Sequence, residues 1–152
     1  MDYIKSEKPD GCVFCKSSIR ADEYLIFEGK LSFVMMNRYP YVSGHLMIIP
    51  NRHIGTIEDL TQKERIEIFA LLDASLKALK AAMNPDGFNI GMNIGKAAGA
   101  GIEEHIHVHV IPRWEGDSNF MSAVNNVRVI PEDIRVTAAK LAPIIKKYHQ
   151  ED

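Results

Sequence analysis

Three histidines alternate with aliphatic residues in one short segment, and this alternation constrains the fold more than any other feature of the chain. The segment is His105-Ile106-His107-Val108-His109-Val110-Ile111. Successive side chains of a β-strand point to opposite faces, so a strand here places the three imidazoles together and the aliphatic side chains opposite them. The sequence therefore predicts a strand from His105 to Arg113 with one face in a core and the other at a site.

The three aligned imidazoles allow three interpretations. Half of the chain's six histidines stand in this run, whereas Ser, Thr or Lys would serve equally well on a plain solvated face. A single zinc cannot bind all three, because His105 and His109 start roughly 13 Å apart along a strand and zinc needs each nitrogen at about 2.0 Å. A neutral imidazole is a nucleophile near neutral pH, and neighbouring imidazoles orient it and carry protons. We therefore favour a catalytic role.

The other apolar runs predict an α+β domain. Glu23–Glu28 and Leu31–Met36 predict two strands joined by a tight turn, His45–Pro50 predicts a third strand, and Phe88–Gly95 predicts a fourth. Together with the histidine strand they predict an antiparallel sheet of about five strands.

Two helices are expected in addition to this sheet. Thr61 and Glu64 form a capping-box pattern at the start of a long helix. Pro131 is expected to open a C-terminal helix that ends near Tyr148. The apolar stripe of the long helix is expected at spacings of three and four residues, at Ile66, Phe69, Leu72, Leu76, Leu79 and Met83.

Length and charge limit the domain organisation and the partners. With 152 residues the chain is expected to form one domain, 1–152. Its 18 basic and 20 acidic side chains give a formal net charge of -2, which argues against a nucleic-acid partner. The first residues show no secretory signal and no apolar run reaches the length of a membrane span. We therefore expect a cytoplasmic protein with no membrane partner.

The only two cysteines, Cys12 and Cys15, have the C-x-x-C spacing of half a zinc site. A thioredoxin-like redox motif is one alternative, but it needs a following helix in a βαβ unit, which the sequence does not indicate. Two ordinary cysteines in an irregular N-terminal segment are the other alternative.

The histidine run fits the H-φ-H-φ-H-φ-φ pattern (φ is apolar) of the histidine triad superfamily, and further segments extend this resemblance. Asn37–Pro50 resembles that family's N-x-x-P-x-x-x-G-H-x-x-x-x-P segment, and Gly11–Cys15 resembles the start of many members. Asn93–Ile102 and Ile111–Met121 resemble the diadenosine tetraphosphate phosphorylase-like branch, while the fragile-histidine-triad hydrolases share a shorter Pro-Arg. The motifs span 11–121, which leaves 122–152 as a C-terminal extension with its helix.

The resemblance implies a fold, an assembly and a catalytic route. The fold is the antiparallel sheet and two helices of the superfamily, and the assembly is a homodimer that joins two sheets. His107 is implied as the nucleophile that attacks the α-phosphorus of a nucleotide and forms a nucleotidyl-histidine. His109 is implied near the leaving oxygen, and His45 in the same imidazole network.

The resemblance also implies the substrate contacts. Asn37 is implied at the ribose hydroxyls, and Asn93, Gly99 and Gly101 at the phosphates, where glycine lets backbone amides approach. The alternatives are a loop cap for Asn37, a backbone partner for Asn93 and plain turns for the two glycines. The substrates implied are adenine nucleotides or dinucleoside polyphosphates.

The leading functional prediction is a hydrolase or transferase that cleaves dinucleoside polyphosphates, such as diadenosine tetraphosphate, at the α-phosphate. The alternatives are a diadenosine tetraphosphate phosphorylase that uses inorganic phosphate, a nucleoside phosphoramidate hydrolase, and a nucleotide sensor without turnover. For the metal, the resemblance implies a structural zinc held by Cys12, Cys15, His53 and His105, with no organic cofactor.

Overall fold

Five strands form one antiparallel sheet in a computed structural model of the chain, which describes residues 11–15, 23–117 and 132–150. The strand order across the sheet is β1-β2-β3-β5-β4. The predicted α+β fold, with about five antiparallel strands, is confirmed. The strands are β1 Leu25–Glu28, β2 Ser32–Met36, β3 Leu46–Pro50, β4 Gly87–Gly91 and β5 Val108–Arg113.

Two long helices accompany the sheet, α1 Gln62–Met83 and α2 Ile134–Gln150, and short 3-10 turns precede α1 and β5. The capping box predicted at the start of α1 is confirmed. The Glu64 N–H donates to Thr61 Oγ1 at 3.2 Å, and the Thr61 N–H donates to the Glu64 carboxylate at 2.8 Å. The predicted C-terminal helix is also present, while Pro131 lies outside the described residues.

The apolar stripe predicted for α1 is wrong at its first two positions. Ile66 and Phe69 are 63% and 71% exposed, whereas Ile68 and Leu71 are buried. The buried face includes several small residues, which let the helix lie close to its neighbours. The buried residues are Glu64, Ile68, Leu71, Ala74, Ser75, Ala78 and Leu79. Apolar residues stand on more than one face of this helix, so spacing alone did not select the buried one.

The sheet is buried on both faces, but by different parts of the chain. The two helices cover one face, where aliphatic side chains of β2, β3 and β5 form the main core with α1 and α2. On the opposite face Phe33, Met35, Met47 and Ile49 pack against Cys12 and Phe14 of the N-terminal segment. Met47 is opposite His109 in the sheet register, so His109 lies on this second face. The histidine face is therefore turned away from the helices.

All five strands are shorter than predicted, and β5 and β4 differ most from the predicted ranges. The strand expected to begin at His105 begins at Val108, so His105 and His107 lie in the segment before it. The strand expected over Phe88–Gly95 spans Gly87–Gly91.

β5 begins later than predicted because of the backbone of the neighbouring strand β3. Ile48 is opposite Val108, and continuing that register would place Pro50 opposite Ile106. Pro50 has no N–H to donate to a neighbouring strand. The Ile106 N–H instead donates to the Ile54 carbonyl at 2.7 Å. The chain therefore leaves the sheet just where the first two histidines stand.

None of the helices in the described residues has both the length and the apolar character of a membrane span.

Candidate functional site

The three predicted catalytic histidines lie side by side on the second face of the sheet. His45 immediately precedes β3, His109 lies in β5, and His107 stands two residues before His109. The His45 and His109 ring centroids are 5.1 Å apart, and those of His107 and His109 are 4.8 Å apart. The structure therefore brings together the three residues that the sequence singled out.

Hydrogen bonds fix which nitrogen carries the proton in His45 and His109. The Tyr41 N–H donates to Nδ1 of His45 at 3.1 Å, so a neutral His45 carries its hydrogen on Nε2. That Nε2–H donates to Nδ1 of His109 at 2.9 Å. His109 in turn must carry its hydrogen on Nε2, where it can donate to a ligand.

His107 has the opposite tautomer. Its Nδ1 lies 3.0 Å from the His105 carbonyl oxygen, which can only accept, so the hydrogen is on Nδ1 and the lone pair is on Nε2. Burial lowers the pKa of His107 below its ordinary value of 6.5, although the hydrogen bond to the His105 carbonyl opposes this. Burial, and next the neighbouring His107, lower the pKa of His109 to about 4. Both rings are therefore neutral at neutral pH, which leaves His107 a lone pair for nucleophilic attack and leaves His109 one N–H to donate.

The predicted substrate contacts lie around this cluster in two loops. Asn37 follows β2; its Nδ2 is 3.3 Å from Nε2 of His45, and its Oδ1 accepts the Tyr39 N–H at 2.9 Å. The loop-capping contact considered for Asn37 is thus present beside its proximity to the cluster.

The β4–β5 connection carries the other three predicted contacts, namely Asn93, Gly99 and Gly101. Gly99 has a φ of 87°, the left-handed region that favours glycine, and its N–H donates to the Lys96 carbonyl at 3.0 Å. A Cβ on Gly99 or Gly101 would meet no protein atom within 4 Å. The space beside both glycines is therefore open to a ligand.

The four predicted metal ligands form a compact cluster. The ligand atoms of Cys12, Cys15, His53 and His105 all lie within 4.8 Å of one another. Nδ1 of His105 is 3.4 Å from the Cys12 sulfur, and Nδ1 of His53 is 3.4 Å from the Cys15 sulfur. Two thiolates and two imidazoles are a donor set that zinc prefers.

Two features of the cluster suit a cation. The Pro50 carbonyl accepts the Nε2–H of His105 at 2.8 Å, so the lone pair of Nδ1 is directed at the cysteines. Burial, and next the adjacent Cys12, raise the pKa of Cys15 to about 11, so paired thiolates are costly there unless a cation binds them. The residues present therefore fit a metal ion.

An ion pair beside the cluster was not predicted from the sequence. Arg52 donates to both carboxylate oxygens of Glu64, at 2.7 and 2.8 Å, and to the Asp59 carbonyl at 2.7 Å. This arginine joins the segment between Pro50 and His53 to the start of α1. The sequence singled out Glu64 as a capping-box residue. Nothing in the local sequence links Glu64 to Arg52, so the ion pair itself could not be predicted.

The fold and site define an α+β protein in which three neighbouring histidines on one sheet face lie next to a Cys2His2 cluster. The HIT domain family model matches residues 19–116, so the chain belongs to the HIT family.

The chain is similar in sequence to two named proteins, a phosphorylase and a triphosphatase. The chain is 42% identical over 118 residues to the AP-4-A phosphorylase of Mycobacterium tuberculosis (strain CDC 1551 / Oshkosh), a match that covers 78% of this chain and 60% of that protein. It is 32% identical over 99 residues to the bis(5'-adenosyl)-triphosphatase of Dictyostelium discoideum, which covers 65% of each. This chain thus spans only about 60% of the length of its mycobacterial relative.

A solved structure of similar fold is the Zn-bound histidine triad family protein from Mycobacterium smegmatis. The two chains superpose with a TM-score of 0.74 and 28% sequence identity, over 93% of this chain and 97% of that one.

Proposed function

We propose that this chain cleaves dinucleoside polyphosphates, such as diadenosine tetraphosphate, by nucleotidyl transfer to His107. The observation that carries the proposal is the tautomer of His107: the His105 carbonyl holds its Nδ1–H at 3.0 Å and leaves the lone pair on Nε2. A second observation is the hydrogen bond at 2.9 Å between Nε2 of His45 and Nδ1 of His109, whose ring lies next to that of His107. Dinucleotide cleavage by the two named relatives supports the choice of substrate.

In the first displacement Nε2 of His107 forms a bond to the α-phosphorus while the bond from phosphorus to the bridging oxygen breaks. With diadenosine tetraphosphate the products are adenylyl-His107 and ATP. The Nε2–H of His109 donates a hydrogen bond to the bridging oxygen as negative charge develops on it. The Tyr41 N–H and His45 hold His109 in the tautomer that this step needs.

In the second displacement an oxygen nucleophile attacks the same phosphorus and the phosphorus–nitrogen bond breaks. The electron pair returns to Nε2 of His107. Water gives AMP and releases a proton to solvent, whereas inorganic phosphate gives ADP. Phosphorolysis is the second candidate, and the name of the mycobacterial relative favours it.

The proposed substrate contacts extend from the histidines into the two loops. Asn37 is proposed at the ribose hydroxyls, since its amide lies beside His45. Asn93 and the amides near Gly99 and Gly101 are proposed at the phosphates, and the open space beside the two glycines supports this.

We also propose a structural zinc at Cys12, Cys15, His53 and His105. The compact cluster and the Zn-bound mycobacterial neighbour support it. Zinc would tie the N-terminal segment to the sheet, and four protein ligands would leave no coordination position for substrate.

We further propose a cytoplasmic homodimer in which 1–152 forms a single domain. β4 stands at the edge of the sheet in the described residues, and exposed edges invite pairing with another chain. Ile90 on β4 and Ile66 and Phe69 on α1 are exposed, which favours burial against a second copy. Sedimentation at micromolar concentration tests this, and a Phe69→Glu chain should sediment as a monomer.

Product analysis tests the proposed reaction. Diadenosine tetraphosphate is incubated with and without phosphate, and the nucleotides are separated by anion exchange, with His107→Ala as the control. AMP plus ATP without phosphate supports hydrolysis, and ADP plus ATP that require phosphate support phosphorolysis. Absence of products in both conditions would refute the proposal in favour of a phosphoramidate hydrolase or a nucleotide sensor.

A further inference from the structure

The residue between the two cysteines that points inward is Phe14. Its side chain is 6% exposed, while its neighbour Val13 in the same turn is 37% exposed. The Phe14 ring lies against two histidines rather than against aliphatic residues alone. Its centroid is 5.0 Å from that of His107 and 5.9 Å from that of His105.

The metal cluster holds this turn at both ends. Cys12 and Cys15 contact Nδ1 of His105 at 3.4 and 3.9 Å, and the Cys15 N–H donates to the Cys12 carbonyl at 3.3 Å. Phe14 is therefore carried by a short turn whose two flanking side chains belong to the metal cluster. The packing of Phe14 against the sheet therefore depends on the Cys12–Cys15 turn remaining folded.

In the part of the chain that the structure describes, Phe14 forms one wall of the His107 ring. The His105 carbonyl holds Nδ1, and the His109 ring lies at 72° to the His107 ring with centroids 4.8 Å apart. The Phe14 ring meets His107 at an interplanar angle of 56°. One hydrogen bond fixes which edge of the imidazole faces outward, but contacts on the ring faces are needed to fix its tilt.

We propose that Phe14 is a positioning residue for His107, and that through it the reactivity of His107 depends on an assembled Cys12–Cys15 turn. This rests on the proposed function, in which His107 is the nucleophile. Phe14 contacts the His107 ring but carries no group that takes part in the reaction. It restricts the direction of the Nε2 lone pair, and a misdirected nucleophile loses rate rather than affinity.

Phe14→Ala separates this role from simple packing. We expect its kcat on diadenosine tetraphosphate to fall about tenfold or more while KM changes by less than about twofold. Phe14→Leu, which keeps most of the apolar volume, should show a smaller loss of kcat in the same direction. Val13→Ala in the same turn is the matched control and should behave like the unmodified protein.

A second readout does not require turnover. Diethyl pyrocarbonate modifies exposed neutral imidazoles, and mass spectrometry assigns the modified residue. His107 should be modified faster in Phe14→Ala and after metal chelation of the unmodified protein, but not in Val13→Ala. Chelation should add little in Phe14→Ala, because both changes remove the same wall.

The outcomes distinguish this proposal from the proposed function. If the unmodified protein turns over no dinucleotide, the proposed function fails, and the modification rates alone decide about Phe14. If metal-loaded Phe14→Ala keeps its kcat and its His107 is modified no faster, the positioning role is wrong. Equal losses of kcat in Phe14→Leu and Phe14→Ala, with faster modification of His107 in both, would support positioning by the aromatic ring itself. A rise in KM without a loss of kcat would contradict the proposal.

Discussion

Replacing Glu64 by glutamine should destabilise the protein by about 2 kcal/mol at neutral pH and leave it nearly unchanged at about pH 2. The Glu64 side chain is 3% exposed and accepts hydrogen bonds from Arg52 at 2.7 and 2.8 Å and from the Thr61 N–H at 2.8 Å. Glutamine keeps the shape but supplies a single acceptor and no charge. Arg52, just after β3, would then lose its charged partner and keep the Asp59 carbonyl.

The magnitude follows from the pKa of Glu64. Hydrogen bonds from Arg52 lower it from 4.5 to about 2, against the opposing effect of burial. At about 1.4 kcal/mol per pKa unit, the shift corresponds to roughly 3 kcal/mol. Arg52 is 50% exposed, so water screens the pair and the expected loss is reduced to about 2 kcal/mol. In a chain of this length that is roughly 4–8 °C in Tm.

The direction of the Glu64 pKa shift determines how the stability changes with pH. A carboxylate whose pKa is lowered on folding stabilises fully above its unfolded value and loses that contribution as pH falls through the folded value. The stability of the unmodified protein should therefore decline from this source between pH 4.5 and about 2, while Glu64→Gln should lack that decline. Denaturant unfolding at several pH values measures both curves.

Asp73→Asn is the matched control on the same helix. Asp73 forms an exposed ion pair with Lys77 at 3.0 Å, and such pairs contribute about 0.5 kcal/mol or less. A Glu64→Gln loss no larger than that of Asp73→Asn at pH 7, or a loss that persists unchanged at the lowest pH, would refute the reasoning.

Three further changes should have measurable effects. Gly44→Ala should cost about 2 kcal/mol or more in unfolding experiments, because φ is 86° there and a Cβ would lie 2.8 Å from the Met83 sulfur. Glu67→Gln should lower Tm by several degrees in a thermal scan, because its carboxylate accepts the backbone N–H groups of Lys30 and Leu31 at 2.8 and 2.6 Å. Removing metal by chelation should lower stability by about 3 kcal/mol, relative to protein with metal at a hundred times its dissociation constant, and adding zinc back should restore it.

The strand pattern and the capping box were predictable because they depend on local chemistry. Alternation places side chains on faces of a strand whatever lies around it, so His107 and His109 could be assigned to one site. A capping box is completed within four residues, as Thr61 and Glu64 show.

What could not be predicted depends on contacts between distant segments. β5 begins at Val108 because Pro50, far away in the sequence, ends the ladder. The buried face of α1 was missed because small residues such as Ala74 and Ala78 make its close contacts, while the large Phe69 is exposed.

The candidate site also combines features that the local sequence predicts with features that depend on distant contacts. Residue types and spacings indicated the histidines and the four metal ligands, and the structure places each group together. The tautomers could not be predicted, because they depend on the Tyr41 N–H and on the His105 carbonyl. The packing of Phe14 on His107 could not be predicted either, since the C-x-x-C pattern does not say which way the intervening residues point.

The covalent intermediate is the most direct test of the central claim. Diadenosine tetraphosphate labelled at the α-phosphorus is mixed with the protein, quenched within one turnover under alkaline conditions that preserve phosphorus–nitrogen bonds, and digested for mass spectrometry. The account predicts an adenylyl group on His107 that decays as product forms, and no labelled peptide from His107→Ala. A label on another residue, or product formation by His107→Ala at the rate of the unmodified protein, would contradict it.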